Sequence, residues 1–75
     1  MRFNYNKLKG RIVEIFGTQK AFGEAMSLNQ PAISHKLKNR RGWTQEEIVK
    51  ASGALAIPQE EIAAYFFTPE NVNSR

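Results

Sequence analysis

The chain has 75 residues, no cysteine and a formal net charge of +4. That length limits it to one domain near the lower size limit of an unassisted hydrophobic core, and the absence of cysteine excludes disulfides, thiolate metal sites and a cysteine nucleophile. No apolar run approaches the roughly 20 residues of a membrane span, and the opening MRFNYNKLKG lacks the apolar core of a signal peptide, so a cytoplasmic protein is expected.

The charge is unevenly spread. Residues 1–41 carry nine Lys/Arg against two Glu, a net +7, whereas residues 42–75 carry two Lys/Arg against five Glu, a net −3. A basic half joined to an acidic half predicts one face suited to a polyanion and one that is not. Between the breaks at Gly17, Ser27–Asn29, Asn39–Gly42, Pro58 and Thr68–Pro69 the apolar spacing is helical, with no alternation over a strand's length.

A first helix is predicted over Asn6–Phe16, capped by Asn4 or Asn6 and stopped by Gly17. Leu8, Ile12, Ile15 and Phe16 form its apolar face. A second runs from the N-cap Thr18 to about Met26 and buries Ala21, Phe22, Ala25 and Met26. Gly23 inside it costs about 1 kcal/mol of helix propensity against Ala, which predicts a close helix crossing at that point. The third starts after Asn29, a strong N-cap, with Pro31 at its second position, where the missing N–H costs nothing. Its apolar stripe is only Ile33 and Leu37, so Gln30, Ser34, His35 and Lys38 face outward. Asn29 is a cap or a base contact, and the cap is favoured.

A basic cluster of Lys36, Lys38, Arg40 and Arg41 follows at once, and Trp43 behind it reads as a partial lid on the core. Thr44-Gln45-Glu46-Glu47 is a capping box opening a fourth helix with Ile48, Val49, Ser52 and Leu55 at helical spacing. A fifth begins near Pro58, ends by Phe67 and packs through Ile62, Tyr65 and Phe66. Tyr65, Phe66 and Phe67 are consecutive, so they cannot all face inward on one helix. The domain therefore spans residues 1–68, and 69–75 read as a polar tail.

The stretch Thr18-Gln19-Lys20-Ala21-Phe22-Gly23, the Ser27-Leu28-Asn29 turn and Ile33-Ser34 resemble the helix-turn-helix of the Cro/repressor (XRE-like) family of phages and bacteria. The opening KLKGRIVEIFGTQKAFGEAM also looks like small proteins of Gram-positive phage lysogeny switches. Ser27 departs from the family, which usually has glycine in this left-handed turn. Lys36 departs too, standing where many members are apolar, with Leu37 taking over the packing.

The resemblance implies an all-α, five-helix, lambda-repressor-like domain with the motif on helices two and three, acting in a bacterial or phage-infected cell. It implies a small repressor or Cro-like regulator on a double-stranded operator, working as a homodimer. Base contacts then fall to Gln30, Pro31, Ser34, His35 and Lys38. Phosphate contacts fall to Gln19, Lys20, Asn39, Arg40 and Arg41. Ile57, Tyr65 and Phe67 are the candidate dimer or partner contacts. The rival reading is an antirepressor, which keeps the same shape but binds a partner repressor and masks its DNA-reading surface. The third helix is polar and basic, which favours DNA, although Pro31, Ala32 and the small Ser34 make it less rich in base-reading groups than a strong DNA reader.

Nothing points to catalysis. There is no glycine-rich phosphate loop, and His35 is the only histidine, so no His-based metal site is expected. Glu46-Glu47 and Glu60-Glu61 are explained by capping and the helix dipole. No enzymatic activity, metal or cofactor is expected.

Overall fold

Among the described residues there are five α-helices: α1 Asn6–Phe16, α2 Gln19–Ala25, α3 Gln30–Leu37, α4 Gln45–Ala54 and α5 Ile62–Phe66, the last preceded by a 3₁₀ turn at Gln59–Glu61. The computed structural model describes residues 2–70; the expected tail therefore lies outside the described residues from 71 onward. None of the described helices is long and apolar enough to cross a membrane.

Helix starts follow the capping residues in the sequence. The Thr18 hydroxyl accepts from the Ala21 N–H at 3.1 Å, and Asn29 Oδ1 accepts from the Ala32 N–H at 2.9 Å. At α4 the capping box is complete: Glu47 N–H donates to Thr44 Oγ1 at 3.1 Å and Thr44 N–H to Glu47 Oε1 at 2.9 Å. Helix α1 differs, because Tyr5 stands at its cap position with no side-chain bond. Asn4 instead turns the chain just ahead of it, accepting from the Asn6 N–H at 2.8 Å.

Helices α2, α3 and α4 share one kind of ending. Each stops at a residue in the left-handed region: Ser27 (φ 61°), Asn39 (φ 65°) and Ala56 (φ 54°). The next N–H in each case reaches back five residues, Leu28 to Gly23 O at 2.8 Å, Arg40 to His35 O at 2.8 Å and Ile57 to Ser52 O at 2.9 Å. This is the Schellman arrangement, which satisfies the last carbonyls of a helix. Glycine is its usual residue, since a β-carbon there costs roughly 1–2 kcal/mol. Asn39 tolerates the conformation; Ser27 and Ala56 carry the strain. Helix α1 ends differently, at its C-cap Gly17 (φ 83°), whose N–H donates to Val13 O at 2.9 Å.

The core is built from Leu8 and Ile12 of α1, Phe22 of α2, Ile33 of α3, Leu55 after α4 and Phe66 of α5, all fully buried. Three expected core positions are exposed instead: Ile15, Ala25 and Val49. In α4 the buried line runs through Ile48, Ala51, Ser52 and Leu55. Val49 lies about 100° around the helix from Ile48 and is 70% exposed.

The two ends of the described chain are strapped together. Asn4 N–H donates to Thr68 O at 2.8 Å and Glu70 N–H to Arg2 O at 3.0 Å. Phe3 and Pro69 form an isolated antiparallel bridge, and Arg2 Nε meets Glu70 Oε1 at 2.7 Å. Pro69 and Glu70 thus pack with the N-terminal segment, past the boundary expected at residue 68. Arg2 and Phe3 are held against the body of the protein.

Gly23 marks a true close approach. A β-carbon there would sit 2.8 Å from the Leu28 carbonyl oxygen and 3.1 Å from Ile33 Cγ1, whereas one at Gly53, inside α4, would meet nothing within 4 Å. Gly23→Ala is therefore expected to destabilise the fold by roughly 1–3 kcal/mol through overpacking, despite its better helix propensity. Gly53→Ala should stabilise it by up to about 1 kcal/mol. Urea denaturation followed by circular dichroism checks both signs.

Candidate interaction surface

The close crossing at Gly23 fixes α3 against α2 and decides which α3 residues face solvent. Gln30, Ser34 and Lys38 recur every four residues on one side, with Pro31 and His35 beside them. Gln30, Pro31, His35 and Lys38 are exposed and Ser34 is half-buried. The candidate base-facing set thus shares one accessible face. Of the candidate phosphate contacts, Lys20, Arg40 and Arg41 are exposed and Gln19 is half-buried. Asn29 serves as the α3 cap.

Two residues of the basic segment have inward tasks. Lys36, grouped in the basic cluster, is 6% exposed. Its ammonium donates to Gly42 O at 3.0 Å, pairs with Glu47 Oε1 at 2.8 Å and stands 5.7 Å from the centroid of the Trp43 ring. One buried cation therefore ties α3 to the start of α4 and to the loop between them. Leu37, expected to take over the packing there, is buried as well.

Asn39 corrects the phosphate expectation. Its Oδ1 accepts from Phe3 N–H at 2.8 Å and its Nδ2 donates to Phe3 O at 2.8 Å. Both ends of the amide are consumed in clamping the N-terminal segment to the end of α3. A short polar side chain in an exposed-looking basic run gives no sequence signal for such a bond, because its partner lies 36 residues away. Arg11 was also illegible: its Nε and Nη2 donate to Leu55 O at 2.9 Å and Ala56 O at 3.2 Å, closing the end of α4.

Two of the three candidate partner contacts are core. Ile57 is 6% and Tyr65 is 8% exposed; Ile57 follows directly on the left-handed end of α4, and Tyr65 lies on the inward side of α5 under Lys7, whose ammonium is 4.9 Å from the ring centroid. Of the three, Phe67 alone is open, at 47%.

Phe67 borders an aromatic cleft of about 250 Å³ formed with Phe3, Tyr5, Trp43, Ile48 and Phe66, with Arg40 and Arg41 among its walls. Trp43 is half-buried, the partial lid expected of it. Its indole N–H is buried without an acceptor in hydrogen-bond geometry. Burial raises the Tyr5 phenol above its ordinary pKa, and the nearby Trp43 N–H partly opposes that.

With the fold and this surface described, the chain can be placed among known proteins. Residues 1–69 match the family described as Protein of unknown function (DUF739), and the chain belongs to that family. It is similar to a solved structure, the solution structure of the modulator of repression (MOR) of the temperate bacteriophage TP901-1 from Lactococcus lactis. The two share 39% identity over 89% of this chain and 90% of that one, with a TM-score of 0.78. No curated protein matches. Membership rests on DUF739 rather than on the Cro/repressor family that the motif resembles, and the structural likeness is to a small phage regulator.

The buried pair has a defined pH dependence. Burial alone would raise the Glu47 carboxyl, but the Lys36 ammonium and the Thr44 N–H outweigh it and hold its pKa below the ordinary value of 4.5. The stabilisation is thus fully present above about pH 4.5 and is lost as the pH falls through the lower folded-state value. Glu47→Gln should cost roughly 1.5–3 kcal/mol near neutral pH, and the gap from wild type should shrink as the pH falls below about 4.5. Urea midpoints of both proteins across that range test it.

Proposed function

We propose that this protein regulates phage repression by binding a partner repressor and masking its DNA-reading surface. The observation that carries this reading is the likeness to a modulator of repression at 39% identity over about nine-tenths of both chains. Local chemistry supports it. Burial of Lys36 and the full use of Asn39 remove two polar groups from the basic segment. What α3 presents outward is Gln30, Pro31, Ser34, His35 and Lys38, a face with a proline and a small hydroxyl where a DNA reader gains from bidentate donors.

A second reading is direct operator binding through α2 and α3 as a helix-turn-helix, singly or as a homodimer. Its support is the capped, exposed start of α3 beside Lys20, Lys38, Arg40 and Arg41. A DNA reader engages phosphates through such cations, so its affinity falls steeply with salt.

The two separate cleanly in fluorescence anisotropy on labelled operator DNA carrying the cognate phage repressor. Under the masking reading, added protein releases the repressor from DNA, and the protein alone leaves the probe unchanged at low salt. Salt-sensitive binding of the protein itself, abolished in Lys38→Ala/Arg41→Ala, would overturn masking in favour of direct DNA binding.

A further inference from the structure

The aromatic cleft beside Phe67 is used by neither reading, although the operator reading would spend Arg40 and Arg41 at its wall on phosphates. None of Gln30, Ser34, His35 and Lys38 lines it. Its floor is aromatic, from Phe3, Tyr5, Trp43 and Phe66, and its open edge is Phe67, nearly half exposed. Arg40 and Arg41 stand at its wall, both exposed, and among the described residues neither is paired with a carboxylate. Exposed aromatic surface flanked by unpaired arginine is the composition that concentrates binding energy at protein interfaces.

We infer that this cleft docks an acidic segment of a protein partner, one that inserts a large apolar side chain and sets carboxylates against Arg40 and Arg41. Three observations choose this occupant. The volume, about 250 Å³, falls below the roughly 300–1,000 Å³ of small-molecule sites and suits one or two side chains. The unpaired guanidinium groups select carboxylates, which they bind in bidentate pairs. The rings meet edge to face, Trp43 to Phe66 at 79° and Phe3 to Phe67 at 83°. They pack against one another rather than standing as open faces on which nucleic-acid bases stack.

The cleft is also held firm. Asn39 clamps Phe3 from behind, and the Lys36 ammonium packs over Trp43, so the aromatic walls are positioned before any partner arrives. A site ordered in advance loses less entropy on binding.

Trp43 is the single tryptophan and reports directly on the site. The probe is a ten-residue peptide of Glu with two central Leu-Phe pairs, titrated into the ¹⁵N-labelled full chain and followed by Trp43 fluorescence and amide shifts. We expect saturable binding with shifts centred on Phe3, Arg40–Trp43, Phe66 and Phe67. Arg40→Glu/Arg41→Glu, two exposed positions that leave the core intact, should weaken it at least tenfold. Replacing the peptide's Leu and Phe by Ala should do the same, and a Lys counterpart should not bind. Absence of binding at millimolar peptide would overturn the inference. So would binding indifferent to the arginine reversal, shifts confined to α3, or a preference for a single-stranded oligonucleotide at the same residues. The titration contains neither repressor nor operator, so its outcome is independent of whether the protein masks a repressor.

Discussion

The nearness of α3 to α2 at Gly23 is the constraint on which the rest of the surface depends. With the Leu28 carbonyl of the turn 2.8 Å and the Ile33 side chain 3.1 Å from where a β-carbon would stand, only glycine lets the turn and α3 pack this closely on α2. The left-handed Ser27 makes the approach, because it turns the Leu28 N–H back onto Gly23 O. The strain at Ser27 is thus offset by a satisfied helix end and by the burial of Ile33 and Phe22 in the core. Once that packing is set, the rotation of α3 follows, and with it the identity of the α3 residues that face outward.

The far end of α3 is fixed by polar rather than apolar means. Lys36 occupies a position where packing alone would favour a hydrocarbon. A lone buried ammonium would be costly, and here Glu47, the Gly42 carbonyl and the Trp43 ring surround it. Glu47 is at once a capping residue of α4 and the counterion of α3, so the start of one helix and the end of another are one electrostatic unit. Asn39, one turn further on, ties the same corner to Phe3. The corner between α3 and α4 therefore holds the N-terminal strap, the aromatic cleft and the arginine pair in fixed relation.

Much of this was legible in the sequence, and the parts that were not share a cause. Thr18, Asn29 and the Thr44–Glu47 box act within three residues of themselves, and their helices start where the residues say. Gly23 was readable as a crossing because glycine inside a helix needs a reason. The misplaced residues depend on distant partners. Lys36 and Asn39 sit in a run whose composition reads as solvated, and their bonds to Glu47 and Phe3 are set only by the tertiary fold. Ile57 and Tyr65, expected as partner contacts, are buried in the core instead, Ile57 at the end of α4 and Tyr65 beneath Lys7 of α1. Val49 has the right spacing for a fourth core residue, but α4 is covered on one side only. The site residues fared unevenly for the same reason: periodicity identifies the outward face of α3 and says nothing about what that face meets.

Likeness to a modulator of repression is what supports the proposal that the target is a repressor rather than an operator. The most direct measurement is calorimetric titration of this protein into the cognate phage repressor, first free and then saturated with operator DNA. Masking requires heat of binding to the free repressor that disappears when operator occupies its DNA-reading surface. Equal binding to the free and the operator-bound repressor, or none to either, would contradict it.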